Sequence, residues 1–134
     1  MPGRAYRPST YTNDVMLSSL GSRRFPPANV SPRDARRWAR DVVTADFPVD
    51  VDSIALVVSE LATNAVVHAK SPFDVTISAG DVAVRVEVRD ESSDAPERTA
   101  HGMGLRLTDD IASCWGWHPT ASGKSVWFEM PISG

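Results

Sequence analysis

At 134 residues the chain is one domain by length, with enough residues for a real core and too few for two. Hydrophobic residues at 42% and charged residues at 23% exclude a disordered chain, and no stretch reaches the roughly 18 apolar residues of a membrane span or shows a signal-peptide core. A net charge of −3 argues against direct nucleic-acid binding, and the single Cys114 excludes an internal disulfide and fits a reducing, cytoplasmic setting.

Met1 to about Gly21 is rich in Ser, Thr, Tyr, Asn and Arg and reads as a loosely ordered leader, with room for a short strand at Val15-Met16-Leu17. Residues 22–134 then form the domain. Ser22-Arg23-Arg24-Phe25 reads as an edge strand closed by Pro26-Pro27. Ser31-Pro32-Arg33-Asp34 is a helix start, with Ser31 as N-cap, Pro at the first helical position and an acid in the first turn. Ala35, Trp38, Ala39, Val42 and Val43 follow at helical spacing. Arg33, Arg36, Arg37 and Arg40 lie opposite them as a solvated face, or less simply as a partner surface.

The run from Asp52 to Ala69 holds no Gly or Pro and stops before Lys70-Ser71-Pro72. Ile54, Ala55, Val58, Leu61, Ala62, Ala65, Val66 and Ala69 fall on one apolar arc. Glu60, Asn64 and His68 make a polar stripe at i, i+4 and i+8, flanked by Leu56 and Val67 on one side and by Val57 and Leu61 on the other. Polar groups bracketed by apolar ones suit a groove wall; a half-exposed helix with ordinary surface residues is the plainer alternative.

Beyond Pro72 the period changes to two. Val75 and Ile77 alternate with polar residues, Gly80-Asp81 makes a turn, and Val82, Val84, Val86 and Val88 alternate up to Asp90. These strands should form an antiparallel hairpin. Glu91 to His101 is polar, contains Pro96 and reads as a long loop of the kind that serves as a lid. Gly102-Met103-Gly104 should open a helix through Cys114. Trp115 to Thr120 reads as a strand, Ser122-Gly123-Lys124 as a turn, and Ser125 to Met130 as a last strand with Val126, Phe128 and Met130 on one side. The expected fold is α+β, a two-layer sandwich of a mixed, largely antiparallel sheet with helices on one face.

Several groups could carry chemistry. Glu60 and Asn64 stand one helical turn apart, Asp90 ends a strand, and Gly102 and Gly104 precede a helix whose N-terminus would suit phosphate. Gly123-Lys124-Ser125 invites a P-loop reading, but His118 stands where that motif needs Gly, and the turn lies between strands. His68, His101, His118 and Cys114 have no zinc-site spacing.

In their order along the chain these pieces resemble the GHKL (Bergerat-fold) ATPase and kinase superfamily, and within it the small anti-sigma-factor serine kinases of the RsbW type. Glu60-Leu61-Ala62-Thr63-Asn64-Ala65-Val66-Val67-His68-Ala69 is similar to the N box, Val86 to Asp90 to the strand entering the first glycine box, His101-Gly102-Met103-Gly104-Leu105 to the second, and Gly123 to Phe128 to the closing strand. The resemblance implies ATP and Mg²⁺ as cofactors. It implies Asn64 as the Mg²⁺ ligand, Glu60 as general base, Asp90 as acceptor for the adenine amino group, and the backbone of Gly102, Met103, Gly104 and Leu105 around the phosphates. His68 would line the groove. Lys124 and Ser125 would join the ATP site, a plain hairpin turn being the other reading. One departure from the family pattern is Glu91-Ser92-Ser93 after Asp90, where the family often has Gly.

The function so implied is an ATP-dependent protein-serine kinase that phosphorylates an anti-anti-sigma (STAS-domain) antagonist and regulates a sigma factor. Homodimerisation is a further option; neither nucleic acid nor a membrane is an expected partner. The alternatives are a non-enzymatic GHKL interaction module and an isolated ATP domain of a histidine kinase. The latter is disfavoured because no helix bearing a phosphoacceptor His precedes the N box.

Overall fold

Alternating valines build the middle of the sheet, and the two described helices are laid against one side of it. The computed structural model describes residues 17–43, 49–94 and 114–132. In chain order these give β1 (Ser18–Phe25), α1 (Ser31–Val42), α2 (Val51–Asn64) running on into a π-helical turn (Ala65–Ala69), β2 (Phe73–Ala79), β3 (Ala83–Asp90), β4 (Cys114–Pro119) and β5 (Lys124–Pro131). The strands form one sheet in the order β1-β2-β3-β5-β4. The α+β class holds. So does the largely antiparallel sheet: among the described strands every neighbouring pair is antiparallel.

Phe73, Val75 and Ile77 of β2, Val84, Val86 and Val88 of β3, and Val126, Phe128 and Met130 of β5 share the face that meets the helices. Ala35, Ala39 and Val43 come from the α1 side, and Ile54, Val57, Val58, Leu61, Ala62 and Ala65 from α2 and its extension. Phe25 closes this core at the end of β1, stacked on Phe73 at 5.4 Å between ring centroids and edge-on to Trp38 at 6.1 Å. The apolar arc of α2 is as expected, except that Val57 is fully buried while Val66 and Ala69 are only half-buried. The run Val51–Ala69 has the length and mean hydropathy, 1.2, of a membrane span. Here its apolar side faces the sheet, as in a core helix.

Several element boundaries differ from the sequence reading, among them Lys124, which opens β5 and is not a turn residue, and Val82, which lies exposed before β3. The edge strand begins at Ser18, four residues before Ser22. Ser31 lies inside α1, with Val30 at the N-cap position, and its hydroxyl donates to the Pro26 carbonyl at 2.6 Å instead of capping the helix. Cys114 opens β4, so no helix runs through it. The cap on α2 is Asp50, whose carboxylate accepts from the Ser53 amide at 3.3 Å and hydroxyl at 2.8 Å; these bonds, the hydroxyl's first, hold its carboxyl below the usual range.

Candidate nucleotide site

Connectivity fixes which end of the sheet carries the candidate groups. The π-helical turn closes with the Lys70 amide donating to the Ala65 carbonyl at 2.8 Å, and Lys70 takes the left-handed conformation at φ 53° that ends the helix. Three residues later β2 starts at Phe73, and the β2–β3 register, with Asp74 opposite Arg89, sets Phe73 beside Asp90. The C-terminal end of the long helix and the end of β3 therefore meet. A direct bond joins them, since the Ser71 hydroxyl accepts from the Glu91 amide at 3.0 Å and itself donates to the Pro72 carbonyl at 2.9 Å.

On that helix Glu60 and Asn64 are half-buried, and neither side chain has a hydrogen-bond or ion-pair partner among the described residues. Val57 and Leu61 on one flank are buried, whereas Leu56 and Val67 on the other are 39% and 51% exposed. The stripe thus marks the edge between core and solvent. His68 is exposed and sits on the π-helical turn, whose wider winding breaks the regular i+4 spacing from Asn64.

Asp90 is buried on the helix-facing side of β3, opposite Lys124 in the register with β5. The Lys124 ammonium donates to Oδ1 at 3.0 Å and lies 2.9 Å from Oδ2, and the Ser92 amide donates to Oδ1 at 2.9 Å. A carboxylate has about four lone-pair positions, so one on Oδ2 stays open to a further donor. Ser125, the next residue of β5, points to the other face of the sheet and donates its hydroxyl to Glu87. The structure unites Asp90 with Lys124 and separates Ser125 from them. Gly102, Met103, Gly104 and Leu105, and the expected lid beyond Asp94, lie outside the described residues.

The turn after Asp90 accounts for the missing glycine. Lys70 is the sole non-glycine residue with positive φ among those described, so Glu91-Ser92-Ser93 needs no glycine-only dihedral. Three bonds fasten this turn: Ser92 amide to Asp90, Glu91 amide to Ser71, and Arg24 to the Glu91 carboxylate at 2.7 Å. Close backbone approach is supplied from across the sheet. A Cβ on Gly123 would overlap the Asp90 carbonyl oxygen and come within 2.6 Å of Glu91 Cα. Ser71 and Arg24 carry no motif signal in the sequence, and the turn and closing-strand readings of Gly123 do not announce its contact with Asp90.

The profile of the histidine kinase-like ATPase domain matches residues 25–130, from the last residue of β1 nearly to the end of β5. The chain belongs to the histidine kinase-like ATPase family. No curated protein matches the chain. In an ATPase domain of this GHKL type, ATP and Mg²⁺ are the ligands to test against the residues present. No trio of His, Cys, Asp or Glu among the described residues could cage an ion. Mg²⁺ needs no cage: it binds through one or two protein oxygens with phosphate and water completing the shell. The unpartnered amide of Asn64 fits that requirement, with the unpartnered Glu60 carboxylate one helical turn away and an open acceptor on Asp90 for an N–H of the base.

A separate cleft lies on the far flank of α2. Asn29, Pro32, Arg33 and Arg36 from the start of α1, with Thr63, Val66 and Val67, line a volume of about 290 Å³. Arg36 is half-buried there, so the arginine face is not wholly solvated.

Proposed function

We propose that this ATPase domain is a protein-serine kinase of the anti-sigma type, which binds Mg²⁺·ATP and phosphorylates a serine on a STAS-domain antagonist of a sigma-factor regulator. The observation that carries this reading is the pair Glu60 and Asn64, one helical turn apart on a rigid core helix and both without partners among the described residues. Asn64 would hold Mg²⁺, which when bound neutralises phosphate charge. Asp90 would accept from the adenine amino group through its open Oδ2 lone pair. Glu60 would take the proton from the substrate serine as its oxygen bonds to the γ-phosphorus and the bond to the ADP oxygen breaks.

A second reading, a GHKL interaction module without turnover, draws on one observation: Lys124 already bonds to both oxygens of Asp90. Phosphotransfer from labelled ATP to a STAS partner separates the two. Glu60→Gln should leave ATP affinity near normal and slow transfer by about 10²-fold or more, because a general base acts on rate and little on ground-state binding. Equal rates would move the base elsewhere; wild type that binds the partner and transfers nothing would favour the module.

A further inference from the structure

We infer that Lys124 is the specificity-determining residue of the nucleotide site, acting through Asp90 to make it a reader of a purine 6-amino group and making no phosphate contact itself. The inference rests on the ATP reading above and adds a role to a residue that the reading leaves without one.

Lys124 begins β5 directly opposite Asp90, on the side of the sheet that faces the helices. Both side chains are under one-tenth exposed, and the ammonium reaches both carboxylate oxygens at 2.9–3.0 Å. A lysine held this way is not extended towards a triphosphate. The backbone that carries it is fixed by Gly123, where any side chain would strike the Asp90 and Glu91 backbone. Of the other charged groups nearby, Glu91 is turned outward to Arg24, which also holds Asp74. Arg89 projects from the opposite face beside Glu87, and Glu60 and His68 belong to the long helix and its π-helical extension. Lys124 is the one cation bonded to Asp90 among the described residues.

The chemical consequence concerns donors and acceptors. The ammonium that lies against both oxygens fixes the plane of the carboxylate and takes two of its about four lone-pair positions. With Oδ1 filled by Lys124 and the Ser92 amide, the remaining Oδ2 position takes an N–H. The 6-amino group of adenine supplies one, whereas the 6-oxo group of hypoxanthine would set oxygen against oxygen.

The test compares ATP with inosine triphosphate, binding each to the full chain as wild type, Lys124→Met, Lys124→Gln and Lys124→Arg, with folding checked by circular dichroism. Wild type should prefer ATP by about 100-fold or more, since a site built around a donor rejects an analogue lacking it. Lys124→Met should shrink that ratio at least tenfold, through weaker ATP and equal or tighter inosine triphosphate binding, and Lys124→Arg should restore it. Lys124→Gln is too short to hold both carboxylate oxygens, so it should also lose discrimination, and it stands in if the Met variant fails to fold. Equal weakening of both triphosphates, or full discrimination in the Gln variant, overturns the assignment. Wild type that binds both equally overturns it while leaving nucleotide binding intact; wild type that binds neither overturns the nucleotide reading and this inference with it.

Discussion

Two cross-strand ion pairs join β3 to β5, and they differ in what each leaves unsatisfied. Asp90 and Lys124 face the helices; Arg85 and Glu129 face the other side of the sheet. In the second pair the nearest approach is 3.6 Å, longer than a hydrogen bond, and the Arg85 guanidinium lies over the Trp127 ring at 4.6 Å. Glu129 is fully buried. That pair, with Ser125 bonded to Glu87 beside it, is a polar lining for a strand buried on both faces. The first pair meets hydrogen-bond distance on both oxygens and still keeps an open acceptor at the end of β3. It therefore has the properties of a site, while the other has those of a scaffold.

Breaking each pair should expose this contrast. Lys124→Met leaves a buried carboxylate alone and should cost about 3–5 kcal/mol in a denaturant melt, the usual loss when one partner of a buried pair is removed. Gly123→Ala should come next, at about 3 kcal/mol, because the atoms in its way are backbone and cannot move aside cheaply. It should also weaken nucleotide binding by displacing Asp90. Arg85→Met should cost about 1–3 kcal/mol, the penalty for an incompletely satisfied buried group, and leave nucleotide affinity unchanged. Nucleotide binding that falls equally in the Arg85 and Lys124 variants would erase the distinction.

A third carboxylate gives an exposed reference for the two buried pairs. Asp50 caps α2 with a lowered pKa, so its contribution is complete above the ordinary carboxylate range and fades as pH falls through its depressed value. Asp50→Ala should cost about 1 kcal/mol at neutral pH. The gap from wild type should close as melts are taken below that depressed value, where both chains lack the charged cap. A gap that persists in acid would mean that the cap acts by shape alone.

Much of this contrast was already written in the alternation of the strands. Placing Val126, Phe128 and Met130 on one side of β5 implies that Lys124 shares that side and Ser125 does not; grouping Lys124 with Ser125 ignored the period of two. The arc of α2 and the β2–β3 hairpin were legible because burial there follows strict periods. The early start of β1 was not, since Ser18, Ser19 and Gly21 lie on an edge strand with little buried surface to impose a pattern. The π-helical turn at Ala65–Ala69 leaves no mark in a sequence whose residues suit an α-helix equally well. Ser71 and Arg24 fasten the turn after Asp90 through contacts 20 and 67 residues apart in sequence, which no local pattern can announce.

The central claim is that Asn64 and Asp90 belong to one Mg²⁺·ATP site, and calorimetric titration of ATP tests it most directly. Run with and without Mg²⁺ on wild type and on Asn64→Ala, it should show saturable, Mg²⁺-dependent binding in wild type. In the variant that dependence should be lost while the melting temperature stays unchanged, because the Asn64 side chain lies off the buried arc and bonds to nothing among the described residues. Identical heats with and without Mg²⁺ in wild type, or an Asn64→Ala affinity equal to wild type in its presence, would contradict the account.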